Sequence, residues 1–267
     1  MQDTFINLWK EFAKRYGEYS DFVSFELLNE VVDADAELWN DLIRRTICAV
    51  REFAPVTKIV VGGIRWNSAS SLQQLDAPYD GNIVFTYHFY DPFLFTHQGA
   101  QWLKELSGIT VEYPGDIKDY RRISKGLRSY DSGYFSISAM GRSYLEERMM
   151  PAIKTAKKHN ALLYCGEYGV ISHASAESTV NWYRDIRSVF EKYKIARAAW
   201  TYKSINFGIC SLQSDVMGGH KKSVKQNPSG GLPMKCIYRD KSNSVGDRVQ
   251  DLIERMAPEE KIGQMMQ

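Results

Sequence analysis

Phe25-Glu26-Leu27-Leu28-Asn29-Glu30 and Tyr164-Cys165-Gly166-Glu167-Tyr168-Gly169 are two apolar runs that each stop on a carboxylate. Each reads as a strand buried along its length that opens to solvent at a charge. Two such glutamates can face one another only if their strands share a sheet or barrel.

Working outward, more runs of the same kind follow. Strands are predicted over Phe22–Leu28, Lys58–Gly63, Asn82–Tyr87, Ala161–Gly166 and Ile195–Tyr202. Helical periodicity lies between them. Asp3 is predicted to cap a first helix whose Phe5, Trp9, Phe12 and Tyr16 form one apolar stripe. A second helix starts near Ala36 and is closed by Pro55; a brief one covers Ser70 to Leu75. Two long ones cover Arg142–His159, with a kink expected at Pro151, and Ala176–Tyr193. Asp91 to Ala139 is a long polar and aromatic excursion of the kind that usually carries function or is disordered.

Continuous apolar strands alternating with helices predict an α/β fold with a parallel sheet wrapped by helices. Reactive residues at several C-terminal strand ends favour a (β/α)8 TIM barrel. An open doubly wound sheet is the rival, but no Gly-rich phosphate loop follows any strand. Five strands are read where a barrel has eight, and the chain opens on a helix. The expectation is therefore a partial barrel, about strands 4 to 8. At roughly 30 residues per strand–helix unit, roughly 90 residues of a full barrel are absent from the front. The domain reading is a partial barrel over residues 1–212, a Gly-, Ser-, Lys- and Asn-rich linker over 213–244, and a helical segment over 245–267.

Composition is that of an ordinary globular chain, 44% hydrophobic and 25% charged. A net charge of +2 with scattered basic residues gives no footprint for nucleic acid. No apolar run reaches the roughly 18 residues a membrane span needs, and no signal peptide is read after Met1. Cys48, Cys165, Cys210 and Cys236 lack paired zinc-binding spacing, and Cys48 and Cys165 read as buried free thiols. No metal or organic cofactor is expected.

Paired carboxylates at strand ends suit glycosidic-bond cleavage. Each has a plainer reading: Glu30 could cap the next helix, and Glu167 could sit in a surface turn. In Tyr87-His88-Phe89-Tyr90-Asp91-Pro92, His88 and Tyr90 share a face by period two. Trp200 closes another strand end, where it could floor a sugar subsite or belong to the core.

Taken together, Asn29-Glu30, His88-x-Tyr90, Gly166-Glu167-Tyr168-Gly169 and Trp200, in this order at strand ends, resemble glycoside hydrolase family 5 over about residues 3 to 212. This is the cellulase-containing family of retaining (β/α)8 glycosidases. The resemblance implies that Glu30 is the acid/base and Glu167 the nucleophile. It implies that Asn29 contacts the hydroxyl beside the anomeric carbon, that Tyr90 hydrogen-bonds the nucleophile, and that His88 and Trp200 bind substrate. The implied activity is a retaining endo-β-1,4-glucanase acting outside the cell or in the periplasm, with mannan or mixed-linkage glucan as alternative substrates. The family's arginine on the second strand and histidine on the third have no counterpart here, so a non-catalytic remnant that binds glucan weakly is the competing expectation. The tail, Tyr238 to Met265, resembles the entry helix of glycoside hydrolase family 3, which includes β-glucosidases. That implies fusion to a family 3-like domain; a chance amphipathic helix is the alternative.

Overall fold

The computed structural model describes residues 1–32, 34–127, 140–202 and 206–209. The chain divides into two compact units, Met1–Trp200 and Thr201–Gln267. In the second, Thr201 N–H donates to Phe207 O and Ile209 N–H to Thr201 O. The linker and tail readings over 213–267 lie outside the described residues.

The first unit is built on a parallel sheet whose spatial order follows the sequence: β1 (Phe25–Glu26), β2 (Ile59–Gly62), β3 (Ile83–Phe89), β4 (Leu162–Tyr168) and β5 (Ala196–Arg197). Five strands are present among the described residues, as the apolar runs predict. All strand pairs are parallel, and helices fill most of the crossovers. The helices are α1 (Gln2–Tyr16), α2 (Ala36–Arg51), α3 (Ile117–Ser124), α4 (Arg142–His159) and α5 (Ala176–Tyr193).

Most elements follow local chemistry. Asp35 starts α2 by accepting from Leu38 N–H, and Ser175 starts α5 by accepting from Ser178 N–H. The first helix differs from expectation: Met1 holds the cap position, and Asp3 lies in the first turn, where its charge faces the helix dipole. Its stripe is covered mainly at Trp9, which packs on Phe25 and donates to Leu27 O, whereas Phe12 and Tyr16 remain exposed. The brief helix is a 3-10 turn over Ser71–Gln74. α4 continues through Pro151. Cys165 is buried as expected, but Cys48 is exposed on α2, with its thiol against the Tyr79 hydroxyl.

The outer strands are shorter than their apolar runs because each pairs on one side only. Before β1, the amides of Phe22 and Val23 bond back to Tyr19 O, so the ladder begins at Phe25. Beyond β5, single bonds from Ala198 N–H to Cys165 O and from Trp200 N–H to Tyr168 O carry the pairing onward.

The central strand β3 is buried at every position. Behind the sheet, Trp182 of α5 is fully buried, stacks on Tyr168, and donates its indole N–H to Asp91 O at 2.9 Å. Gln98 anchors the long excursion: its amide donates to Phe95 O and Val111 O and accepts from Val111 N–H. These contacts fix the segment that follows β3. Trp182→Ala removes a filled volume and a hydrogen-bond donor at once. Its expected cost is about 3–5 kcal/mol, read as a lowered denaturation midpoint.

Candidate active site

Three strands converge at their C-terminal ends. Glu30 follows β1 with a left-handed backbone (φ 46°), an unusual state for a residue with a side chain. Its Oε1 lies 2.8 Å from Nδ1 of His88. His88 sits within β3, with its side chain only 3% exposed. The same Nδ1 is 3.5 Å from Glu167 Oε2 on β4. Tyr90 completes the group, donating its hydroxyl to Glu167 Oε2 at 2.9 Å. Burial and the carboxylate of Glu167 hold that hydroxyl far above the usual tyrosine range, so it remains a donor.

A bulge explains how Glu167 reaches this point. The β3–β4 register pairs Tyr87 with Cys165 and then His88 with Glu167, passing over Gly166. Two successive residues therefore turn toward the same face, which strict alternation forbids. Gly166 permits it: a Cβ there would lie 2.8 Å from Thr86 Oγ1 and 3.4 Å from His88 Nε2.

One oxygen from each glutamate and one nitrogen of His88 all lie within 4.8 Å of one another. Such a donor set is close enough to bridge a divalent cation, although the hydrogen bonds among these groups account for the same spacing. With their nearest oxygens no more than 4.8 Å apart, the two carboxyls are close enough to flank one bond.

Glu30, His88, Tyr90 and Glu167 form one connected cluster. Asn29 is exposed beside Glu30. Trp200 is 40% exposed, and its backbone N–H is bonded to Tyr168 O, next to Glu167.

Other residues at the site were not read from the sequence. Trp66 presents an exposed indole, and its backbone N–H donates to Val31 O, one residue past Glu30. Asn67 is fully buried against His88. Glu26 lines a cavity of about 450 Å³ against the sheet with Val60, Val84, Leu162 and Tyr164. Part of its side chain is open to that cavity, yet burial raises its carboxyl above the ordinary 4.5; His88 pulls it back and Glu167 adds to the rise. The acidic residue at the second position of the Phe25–Glu30 run was a visible signal, since it breaks the apolar pattern.

A family model described as Cellulase (glycosyl hydrolase family 5) matches residues 1–206. The chain belongs to glycosyl hydrolase family 5. It is 37% identical over 212 residues to Endoglucanase C of Acetivibrio thermocellus, covering 78% of this chain and 62% of that protein. Cellodextrinase A of Ruminococcus flavefaciens is 39% identical over 197 residues, covering 73% of this chain and 52% of the relative. Endoglucanase Cel5A of Thermotoga maritima superposes with a TM-score of 0.63 at 28% identity, over 80% of this chain and 62% of that one. This family 5 chain thus spans about three-fifths of the length of such relatives.

Gly166→Ala forces a Cβ against Thr86 and His88. It should cost about 1–3 kcal/mol and break the hydrogen bond from Tyr90 to Glu167; thermal denaturation and activity assays read both effects. Glu26 binds its proton more tightly folded than unfolded, so its cost is absent below pH 4.5 and grows as pH rises above it. Glu26→Gln should therefore raise Tm at neutral pH and leave it unchanged in acid, read by thermal denaturation at the two pH values.

Proposed function

We propose that this family 5 chain is a retaining endo-β-1,4-glucanase. The observation that carries the reading is the pair Glu30 and Glu167, with oxygens no more than 4.8 Å apart around one imidazole. In the first step, Glu167 attacks the anomeric carbon while Glu30 gives its proton to the departing glycosidic oxygen. A glycosyl ester on Glu167 results. In the second step, Glu30 takes a proton from water, the water oxygen attacks the same carbon, and Glu167 is released. Tyr90 holds the nucleophile's Oε2 in place, which leaves the other oxygen free to attack.

Asn29, His88 and Trp200 are assigned to substrate, with Asn29 at the hydroxyl beside the reacting carbon and Trp200 as an apolar platform. Trp66 offers a second ring on the side of Glu30, where the leaving sugar lies. The substrate is an open β-glucan chain. A solved relative, Thermotoga maritima Cel5A, has been crystallised in complex with mannotriose, so mannan is the nearest alternative. A polymer of this kind does not cross a membrane, which supports a reaction outside the cell or in the periplasm. No helix among the described residues is long and apolar enough to span a bilayer. The domain reading extends the proposal: the barrel portion ends near 212, and the tail from 245 begins a family 3-like module.

A second reading, glucan binding without turnover, is favoured by the solvent-open cavity below the pair, which lets water reach the lumen side of β1 and β4. Reducing-sugar release from a soluble β-1,4-glucan separates the two. The parent chain should release sugar, and Glu167→Gln or Glu30→Gln should lower the rate by at least about 10³-fold. Turnover surviving both substitutions would remove the glutamates from the mechanism; none from the parent would favour the binding reading.

A further inference from the structure

The segment after β2 holds three consecutive residues in left-handed backbone: Arg65, Trp66 and Asn67 (φ 56°, 56° and 52°). None is glycine, so the run is strained, and such strain persists only where the surroundings over-determine it. Here they do. Trp66 N–H is bonded to Val31 O beside Glu30, and Ser68 forms a parallel bridge with His88. The run ends by driving the Asn67 side chain into the sheet above Gly62. A Cβ on Gly62 would lie 2.6 Å from the Asn67 Cγ, so the glycine exists as a seat for that amide. Asn67 is wholly buried, and its Nδ2 faces His88 Nε2 at 3.4 Å.

The Asn67 amide lies with Nδ2 toward His88 and its buried Oδ1 without a partner among the described residues; in this orientation one proton placement satisfies the two carboxylates on Nδ1 and the donor on Nε2 together. The proton sits on Nδ1, shared toward Glu30 and Glu167, and Nε2 accepts from Asn67. We propose that Asn67 is a positioning residue that keeps His88 neutral, with its proton on Nδ1 aimed at the two catalytic carboxylates. The proposal rests on the glucanase reading for its catalytic meaning. A neutral His88 can orient Glu30 without acting as a fixed cation beside it. An imidazolium at 2.8 Å would favour the ionised carboxylate and so remove the proton that the leaving oxygen needs. An acceptor in place of the Asn67 amide would create that imidazolium.

The other groups around His88 are Glu26 on β1 and, across a small polar pocket that His88 borders, Asp91, Glu147 and Arg148. Arg148 Nε lies 3.5 Å from Asp91 Oδ2, so the charges beyond the pocket are partly balanced. All of them stay fixed when residue 67 alone is changed.

Asn67→Asp is the test, because Asp keeps the shape and tolerates left-handed backbone as Asn does. Nitrogen-15 NMR of histidine-labelled protein, with His88 assigned among the five histidines by a His88→Gln control, should show Nδ1 protonated and Nε2 bare in the parent. Both nitrogens should be protonated in Asn67→Asp. In parallel, the alkaline limb of the kcat/KM profile should move to lower pH by about one unit in the variant, with KM little changed. A parent His88 protonated on Nε2, or a limb that stays in place or moves to higher pH, would overturn the proposal. The NMR result does not depend on turnover, so a chain that releases no sugar would count against the glucanase reading while the state of His88 is still decided.

Discussion

One imidazole nitrogen, His88 Nδ1, stands between two carboxylate oxygens at 2.8 and 3.5 Å, and the placement of three strands turns on that contact. Two like charges do not gather at such a distance unless something positive or a shared donor separates them. The donor here is buried on the central strand, whose neighbours on both sides contribute to the site. β2 leads into the strained loop, and β4 supplies Glu167 through its bulge. Glu30 arrives from beyond the second neighbour, and its left-handed backbone brings the carboxyl back over the sheet.

Support for this point comes from behind the sheet as well. The indole of Trp182 bonds the carbonyl of Asp91, one residue past Tyr90, and Tyr144 bonds the Asp91 side chain at 3.2 Å. Residues of α4 and α5 thereby hold the end of β3 in register with the carboxylates in front of it. Packing of the helical layer and alignment of the reacting groups are coupled through one aspartate.

Much of this was legible in the sequence wherever the deciding forces are local. α5 matches its predicted span, and the structure supplies the local reason for its start, the cap at Ser175. The strands β2 and β3 announce themselves as continuous apolar runs because both of their faces are covered; β4 reads the same way although its first residues are open to the cavity. The outer strands were read too long, since β-structure needs a partner and an apolar run does not say how many it has. The four clustered residues were found from strand ends, yet the sequence gives no sign of the bulge at Gly166. Without that bulge, period two sends Glu167 to the face opposite Gly166. Asn67 was invisible for a different reason: its importance comes from a contact with a strand 21 residues away and from backbone angles that no propensity favours.

The bulge also bears on how such a chain can change over time. The side on which Glu167 emerges depends on a residue count between Cys165 and Glu167, together with the missing side chain at Gly166. Substitutions along β4 other than at Gly166 leave that count intact, so the strand can drift in composition while its carboxylate keeps facing His88. Insertion or deletion of a single residue there would turn Glu167 away from His88 in one event. Length in β4, with the glycine at 166, is therefore the tighter physical constraint, and identity at the other positions the looser one.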